Sequence, residues 1–195
     1  MLPALALLAF ATPAFAQRPP APPEAQTLGP GRSEGFVVDA EKGCWLWMSG
    51  FGADVSELAV RWSGTCPNGP AEGQGRSVLT WRERGEPREM VFDGMLRGGK
   101  AQGRGRLANF RDGEPIALEE GEYVDDYLVQ GRIELPGAGL VYEGSVQRGR
   151  PNGKGRLTLR GQTIEGEWVQ GCLQLRGGAW LAFGRSAESC QQTES

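Results

Sequence analysis

Few residues in this chain could do chemistry, and their spacing limits what that chemistry would be. There is no histidine, so Ser-His-Asp and Cys-His nucleophilic centres and histidine-ligated metals are excluded. Asp125 and Asp126 form the one carboxylate cluster that breaks the surrounding pattern, with Glu119, Glu120 and Glu122 nearby. Paired carboxylates could serve glycoside hydrolysis or hold Ca²⁺. Adjacent strand residues point to opposite faces, however, so the pair reads as a solvated loop. Gly103-Arg104-Gly105 and Gly153-Lys154-Gly155 have the Gly-x-Gly of a phosphate loop, but neither opens a helix. A zinc site would need four thiolates from two distant pairs, with no C-x-x-C among them. No catalytic residue, cofactor or metal is expected.

A binding role has better candidates. Arg104, Arg106, Lys154 and Arg156 recur at matching places and form a basic column. Asp93, Glu120, Glu143 and Glu165 form an acidic one. A hairpin centred near Gly149 sets Glu143 opposite Arg156, and a next turn near Arg160-Gly161 sets Arg156 opposite Glu165. One reading is a ladder of cross-strand ion pairs, each worth a few tenths of a kcal/mol. The other is a binding face that reads acidic lipid headgroups. Regular alternation of sign favours the ladder, since the charges satisfy each other. The net charge of −3 argues against nucleic acid as a partner and against a globally membrane-seeking surface.

These charges sit on elements that the sequence marks clearly. Tyr142 to Leu159, YEGSVQRGRPNGKGRLTL, reads as a β-hairpin. Tyr142, Gly144 and Val146 share one face, and Gly155, Leu157 and Leu159 share a face of the returning strand. Arg150-Pro151-Asn152-Gly153 has turn chemistry. The pattern recurs: Gly64, Gly94 and Gly144 each have glycines at +5, +9 and +11, and Gly166 keeps the first and last of these. A degenerate unit starts near Gly121, where Glu119 stands in the aromatic position. Residues 82–87 are expected to be a charged loop. Glycine lets an aromatic from a neighbouring strand lie over its backbone. Trp62, Phe92 and Tyr142 are the expected aromatics over Gly75, Gly105 and Gly155, with Trp168 in the core and Leu79, Leu107, Leu157 and Leu159 filling the rest.

An aromatic, one residue, a glycine, four residues and then Gly-x-x-x-Gly-x-Gly resembles the MORN repeat family. The match is carried by Trp62-Ser63-Gly64 with Gly69, Gly73 and Gly75, by Phe92-Asp93-Gly94 with Gly103-Arg104-Gly105, by Tyr142-Glu143-Gly144 with Asn152-Gly153-Lys154-Gly155, and by Ile164-Glu165-Gly166-Glu167-Trp168. The resemblance implies an all-β fold of stacked antiparallel hairpins in an open, solenoid-like sheet. It also implies a binding or scaffolding role without a catalytic residue.

The flanks read as export and caps. Residues 1–16 resemble a cleavable signal peptide, with a short apolar core before Ala14-Phe15-Ala16. Residues 17–34 are Pro-rich and are expected to form an extended linker. Residues 35–58 read as an N-terminal cap, 172–190 as a C-terminal cap and 191–195 as a tail, the caps shielding the sheet's edges. Four cysteines allow three pairings. The local pairs Cys44–Cys66 and Cys172–Cys190 are favoured by the position of the caps: the first would tie the N-terminal cap to the first hairpin, worth roughly 3 kcal/mol by loop entropy, and the second would tie the C-terminal cap. The expected setting is the periplasm or the cell exterior. The expected partner is a protein of the cell envelope, with acidic lipid as the second reading and action on cell-wall glycan as a third.

Overall fold

The computed structural model of the chain describes residues 19–29 and 32–191. The expected signal segment, 1–16, lies outside the described residues, as do residues 192–195 of the tail. The strands run β1 (Glu34–Val38), β2 (Trp45–Ser49), β3 (Val55–Trp62), β4 (Gly73–Glu83), β5 (Glu86–Arg97), β6 (Lys100–Arg111) and β7 (Glu114–Val124). They continue as β8 (Tyr127–Leu135), β9 (Leu140–Gln147), β10 (Arg150–Leu159), β11 (Gln162–Trp168), β12 (Cys172–Gln174) and β13 (Trp180–Ala182), before a short helix α1 (Ala187–Gln191). β3 to β11 form one nine-stranded antiparallel sheet in chain order, and β1–β2 and β12–β13 are separate two-stranded pairs.

Two-residue turns connect most of these strands, and both turn residues have positive φ. Arg84-Gly85, Gly98-Gly99, Asp112-Gly113, Arg148-Gly149 and Arg160-Gly161 all follow this rule, the backbone shape whose twist matches that of paired strands. The +5 glycines Gly99, Gly149 and Gly171 are therefore turn glycines, while Gly69 lies in the longer connection between β3 and β4. The expected loop at 82–87 is two strands meeting at Arg84-Gly85. The hairpin reverses at Arg148-Gly149, at the expected centre near Gly149, and not through the turn-type residues Arg150-Pro151-Asn152-Gly153, because two residues with positive φ suffice to reverse the chain. Pro151 to Gly153 belong to β10, where the register shifts between Pro151 and Gly155. The +9 glycine sits in that bulge, with φ +99° at Gly153.

The +11 glycine and the one that opens each unit form a row. Gly75 pairs with Gly94, Gly94 with Gly105, Gly105 with Gly121, and so on through Gly131, Gly144 and Gly155 to Gly166. Beside it on the same face runs a row of large residues that includes Trp62, Phe92, Ile133, Tyr142 and Leu157, all buried. Their rings cover the glycines as expected. A Cβ on Gly75 would stand 2.8 Å from Cζ2 of Trp62, and one on Gly105 would stand 2.6 Å from Cζ of Phe92. Trp62 also covers Gly64, Phe92 covers Gly94, and Tyr142 covers Gly144 and Gly155. Leu173, not an aromatic, lies over Gly166. Trp168 is buried against Tyr142, with ring centroids 5.7 Å apart.

The inner face is closed from both ends. Leu46 and Met48 of β2 share the core with Phe92, Leu96, Ala101 and Tyr123. β2 is held along the ends of the hairpins, where Trp45 donates its backbone N–H to Gly69 (3.0 Å) and Trp47 donates to Gly99 (2.8 Å). Disulfides join Cys44 to Cys66 and Cys172 to Cys190, the two local pairings. At the far end Phe183 packs near Tyr142 and donates its backbone N–H to Gly171. The N-terminal cap is shorter than 35–58, since β3 already belongs to the large sheet from Val55. Part of the segment expected as linker lies along the cap. Leu28 donates its backbone N–H to Phe36 (2.9 Å), and Nε1 of Trp45 donates to the Pro20 carbonyl (3.0 Å).

Candidate binding faces of the sheet

Strand parity sends the residue between each aromatic and each glycine to the outer face. There the charges fall into one row with strictly alternating sign: Arg76, Asp93, Arg106, Glu120, Arg132, Glu143, Arg156 and Glu165 are successive register partners. The expected oppositions of Glu143 with Arg156 and of Arg156 with Glu165 are both present. Contacts are 3.1 Å for Arg106–Glu120, 3.6 Å for Arg132–Glu143 and 2.8 Å for Arg156–Glu143. Arg76–Asp93 and Arg156–Glu165 are looser, at 3.9 Å. The odd strands from β5 to β11 thus supply an acid followed by glycine. The even strands supply Gly75-Arg76-Ser77, Gly105-Arg106-Leu107, Gly131-Arg132-Ile133 and Gly155-Arg156-Leu157.

The four candidate cations divide. Arg106 and Arg156 are members of the row and are paired. Arg104 and Lys154 lie one row further out, in register with Glu122 and Glu167, and among the described residues neither makes an ion pair. Arg132, which lies in the degenerate unit and escaped the sequence reading, completes the alternation between Glu120 and Glu143. The signal was available, since Arg132 follows Gly131 as Arg106 follows Gly105.

The outer row stays exposed and lines a groove of about 790 Å³ with Arg104, Arg106, Glu120, Glu122, Gln130, Arg132 and Glu143. A second depression adjoins it, where Val91, Ala108 and Leu118 form an apolar strip beside Arg76, Asp93 and Arg132. This face can therefore offer a flat peptide or a polar surface alternating charge beside a narrow apolar band.

Two inner carboxylates have unusual surroundings. Glu119 stands in the row of large residues, as expected of the degenerate unit, and accepts a hydrogen bond from the Tyr123 hydroxyl (3.2 Å). Burial raises its pKa against that hydrogen bond, and burial together with the Glu119 charge pushes the Tyr123 hydroxyl far up. Asp125 and Asp126 form the β7–β8 turn, both with positive φ. Asp126 is not freely solvated. It accepts the backbone N–H of Ala101 at 2.7 Å, and burial pushes its pKa up to about 6, partly offset by that bond and by Lys100. Each of the two aspartates thus has an amide partner, since Asp125 accepts from the Gln102 side chain (3.1 Å).

Asp39 is the structural residue that sequence reasoning missed. It is 1% exposed and accepts N–H groups of Trp62 (2.9 Å), Glu41 (2.9 Å) and Lys42 (3.3 Å). Burial acts to raise its pKa, but these bonds and Arg61 outweigh it and hold the carboxyl below its ordinary value. Asp39 thereby stoppers the outer edge of β3. The only local hint is an Asp four residues before a glycine, a common loop pattern.

No protein-family model matches the chain, and no curated protein matches it in sequence.

Proposed function

We propose that the chain is a non-catalytic binding module of the MORN-repeat type, working in an oxidising compartment such as the periplasm or the cell exterior, and that its partner is a protein. The observation that carries this reading is the asymmetry of the sheet. One face is closed by disulfide-tied elements at both ends, while the other keeps a nine-stranded surface of alternating charge exposed. A surface whose charges are already paired is rigid and nearly neutral, which favours shape-specific docking over adsorption to an anionic bilayer. The two disulfides fit folding under oxidising conditions. No helix among the described residues is long and apolar enough to cross a membrane.

A lipid-reading role rests on Arg104 and Lys154, the two cations of the stripe without an ion pair. Pull-down from native envelope extract with the wild type and with an Arg106→Glu/Arg132→Glu variant tests the protein reading. A partner retained by the first and lost by the second is the expected result, and equal retention would take the site off this face. Co-sedimentation with vesicles, with and without anionic lipid, separates the alternatives. Binding that follows anionic lipid, weakens with salt and disappears in Arg104→Glu/Lys154→Glu would replace the protein reading.

A further inference from the structure

The two edges of the large sheet are treated differently. The β3 edge is closed. Asp39 accepts the Trp62 N–H, Lys42 donates its ammonium to the carbonyls of Ser63 (3.1 Å) and Gly64 (3.4 Å), and a bulge at Glu57 breaks the strand. Closure of this kind is how sheets avoid pairing with other chains. The β11 edge has nothing comparable. β11 pairs only with β10, and β12–β13 does not continue the sheet. It lies on the inner face instead, with Leu173 over Gly166. The shield expected from the C-terminal cap thus covers a face and leaves the edge free among the described residues.

The backbone groups of that edge can be assigned. A two-residue turn at Arg160-Gly161 makes Leu159 and Gln162 a hydrogen-bonded pair. Alternation then turns the N–H and C=O of Thr163, Glu165 and Glu167 away from β10. All three residues are exposed. The chemistry of the missing neighbour follows from the rows that end here. The alternating charge row stops at Glu165, which is 74% exposed and has one cation at 3.9 Å. Each earlier acid of the row, from Asp93 on, lies between two arginines. Every even strand from β4 to β10 meets its acidic neighbour with a Gly-Arg pair.

We infer that the β11 edge is a docking site for an extended protein segment, which adds antiparallel to β11 as a tenth strand and carries glycine, then arginine or lysine, then an apolar residue. The glycine would face Gly166, the cation Glu165 and the apolar side chain Ile164, repeating the register of Gly155, Arg156 and Leu157. Main-chain bonds supply the attachment and the cation sets the register. The edge adjoins the outer face at Glu165 but lies away from the groove around Arg106 and Arg132, so its failure leaves the face-binding reading standing.

A synthetic peptide of residues 150–159, acetylated and amidated, is a suitable probe, because it already carries the required sequence. Titrated against the full chain with amide exchange as the readout, it is expected to bind saturably and to protect the amides of Thr163, Glu165 and Glu167. The same peptide with Arg156→Glu should bind about tenfold or more weakly. In the protein, Glu165→Lys should weaken binding of the wild-type peptide and improve binding of the Glu peptide. Glu165→Pro, which removes an outward N–H from an edge strand that tolerates proline, should abolish both. Unchanged exchange at the three amides under saturating peptide would overturn the inference. So would binding that survives Glu165→Lys but is lost in Arg106→Glu/Arg132→Glu, and so would protection found only on exchange of β10 between two copies of the chain.

Discussion

Gly155→Val measures the packing rule on which the fold is built. Gly155 lies beneath Tyr142, which is fully buried and donates its hydroxyl to the Ser145 carbonyl at 2.7 Å. A Cβ at Gly155 would stand 2.5 Å from Cε2 and Cζ of that ring, against an ordinary contact of about 3.5–4.0 Å. The ring must retreat by about 1 Å. The rings of Trp168 and Phe183, with centroids 5.7 and 5.9 Å away, stand in its path. Overpacking of this kind costs about 1–3 kcal/mol, and loss of the hydroxyl bond adds about 1 kcal/mol. The expected destabilisation is therefore about 2–4 kcal/mol, a Tm lower by roughly 5–15 °C for a domain of this size. Thr158→Val is the control. Thr158 faces outward, its hydroxyl meets only Thr163 at 3.0 Å, and the change should stay within about 0.5 kcal/mol. Denaturant melts of both variants decide the comparison. A double-mutant cycle of Gly155→Ala with Tyr142→Leu adds the direct test, because a smaller side chain should absorb the new methyl and make the pair non-additive. Equal midpoints for the two valine variants, or strict additivity in the cycle, would falsify the placement of the ring on the glycine.

Two carboxylates give predictions of opposite sign. Asp126 has its pKa raised on folding, so its contribution to stability is full below the unfolded value near 3.8 and is lost as pH rises through about 6. Asp126→Asn keeps an acceptor for the Ala101 N–H. It should stabilise the protein by about 1–3 kcal/mol at pH 8 and flatten the stability profile between pH 4 and 7, as urea melts across that range will show. Asp39 has its pKa lowered. Its contribution is present above the unfolded value and falls away as pH drops through the folded one. Asp39→Ala should cost about 2–4 kcal/mol at pH 7, since it leaves the Trp62 N–H buried without a partner. Acid titration of the variant should show a shallower loss of stability than that of the wild type.

Much of the fold was legible because its rule is local. An aromatic must lie over a glycine two residues away and over the next strand's glycine, and two residues with positive φ must reverse the chain. Both demands recur at fixed offsets, so Gly64, Gly94 and Gly144 with their partners mark rows, turns and bulges without reference to distant segments. The outer charges follow from the same parity, and Glu143 opposite Arg156 was readable before any coordinates. The centre of that hairpin, near Gly149, was readable with it. The role of the turn-type residues Arg150-Pro151-Asn152-Gly153 was not: Arg148-Gly149 already closes the hairpin, and the later glycine is needed for a bulge.

What only the tertiary structure decided concerns residues whose partners lie far along the chain. Asp39 becomes a buried stopper only when the cap folds over β3 and brings the Trp62 N–H to it. Asp126 looks like a solvated turn residue until Ala101, on the neighbouring hairpin, reaches its carboxylate. Cys172 and Cys190 bind the C-terminal element to itself, yet whether that element covers an edge or a face depends on where Leu173 and Phe183 find apolar surface. They find it over Gly166 and beside Tyr142, on the inner face. The hydrophobic effect has no preferred direction, so the sequence specified that this end would be covered, and packing determined that the covering left the β11 edge free.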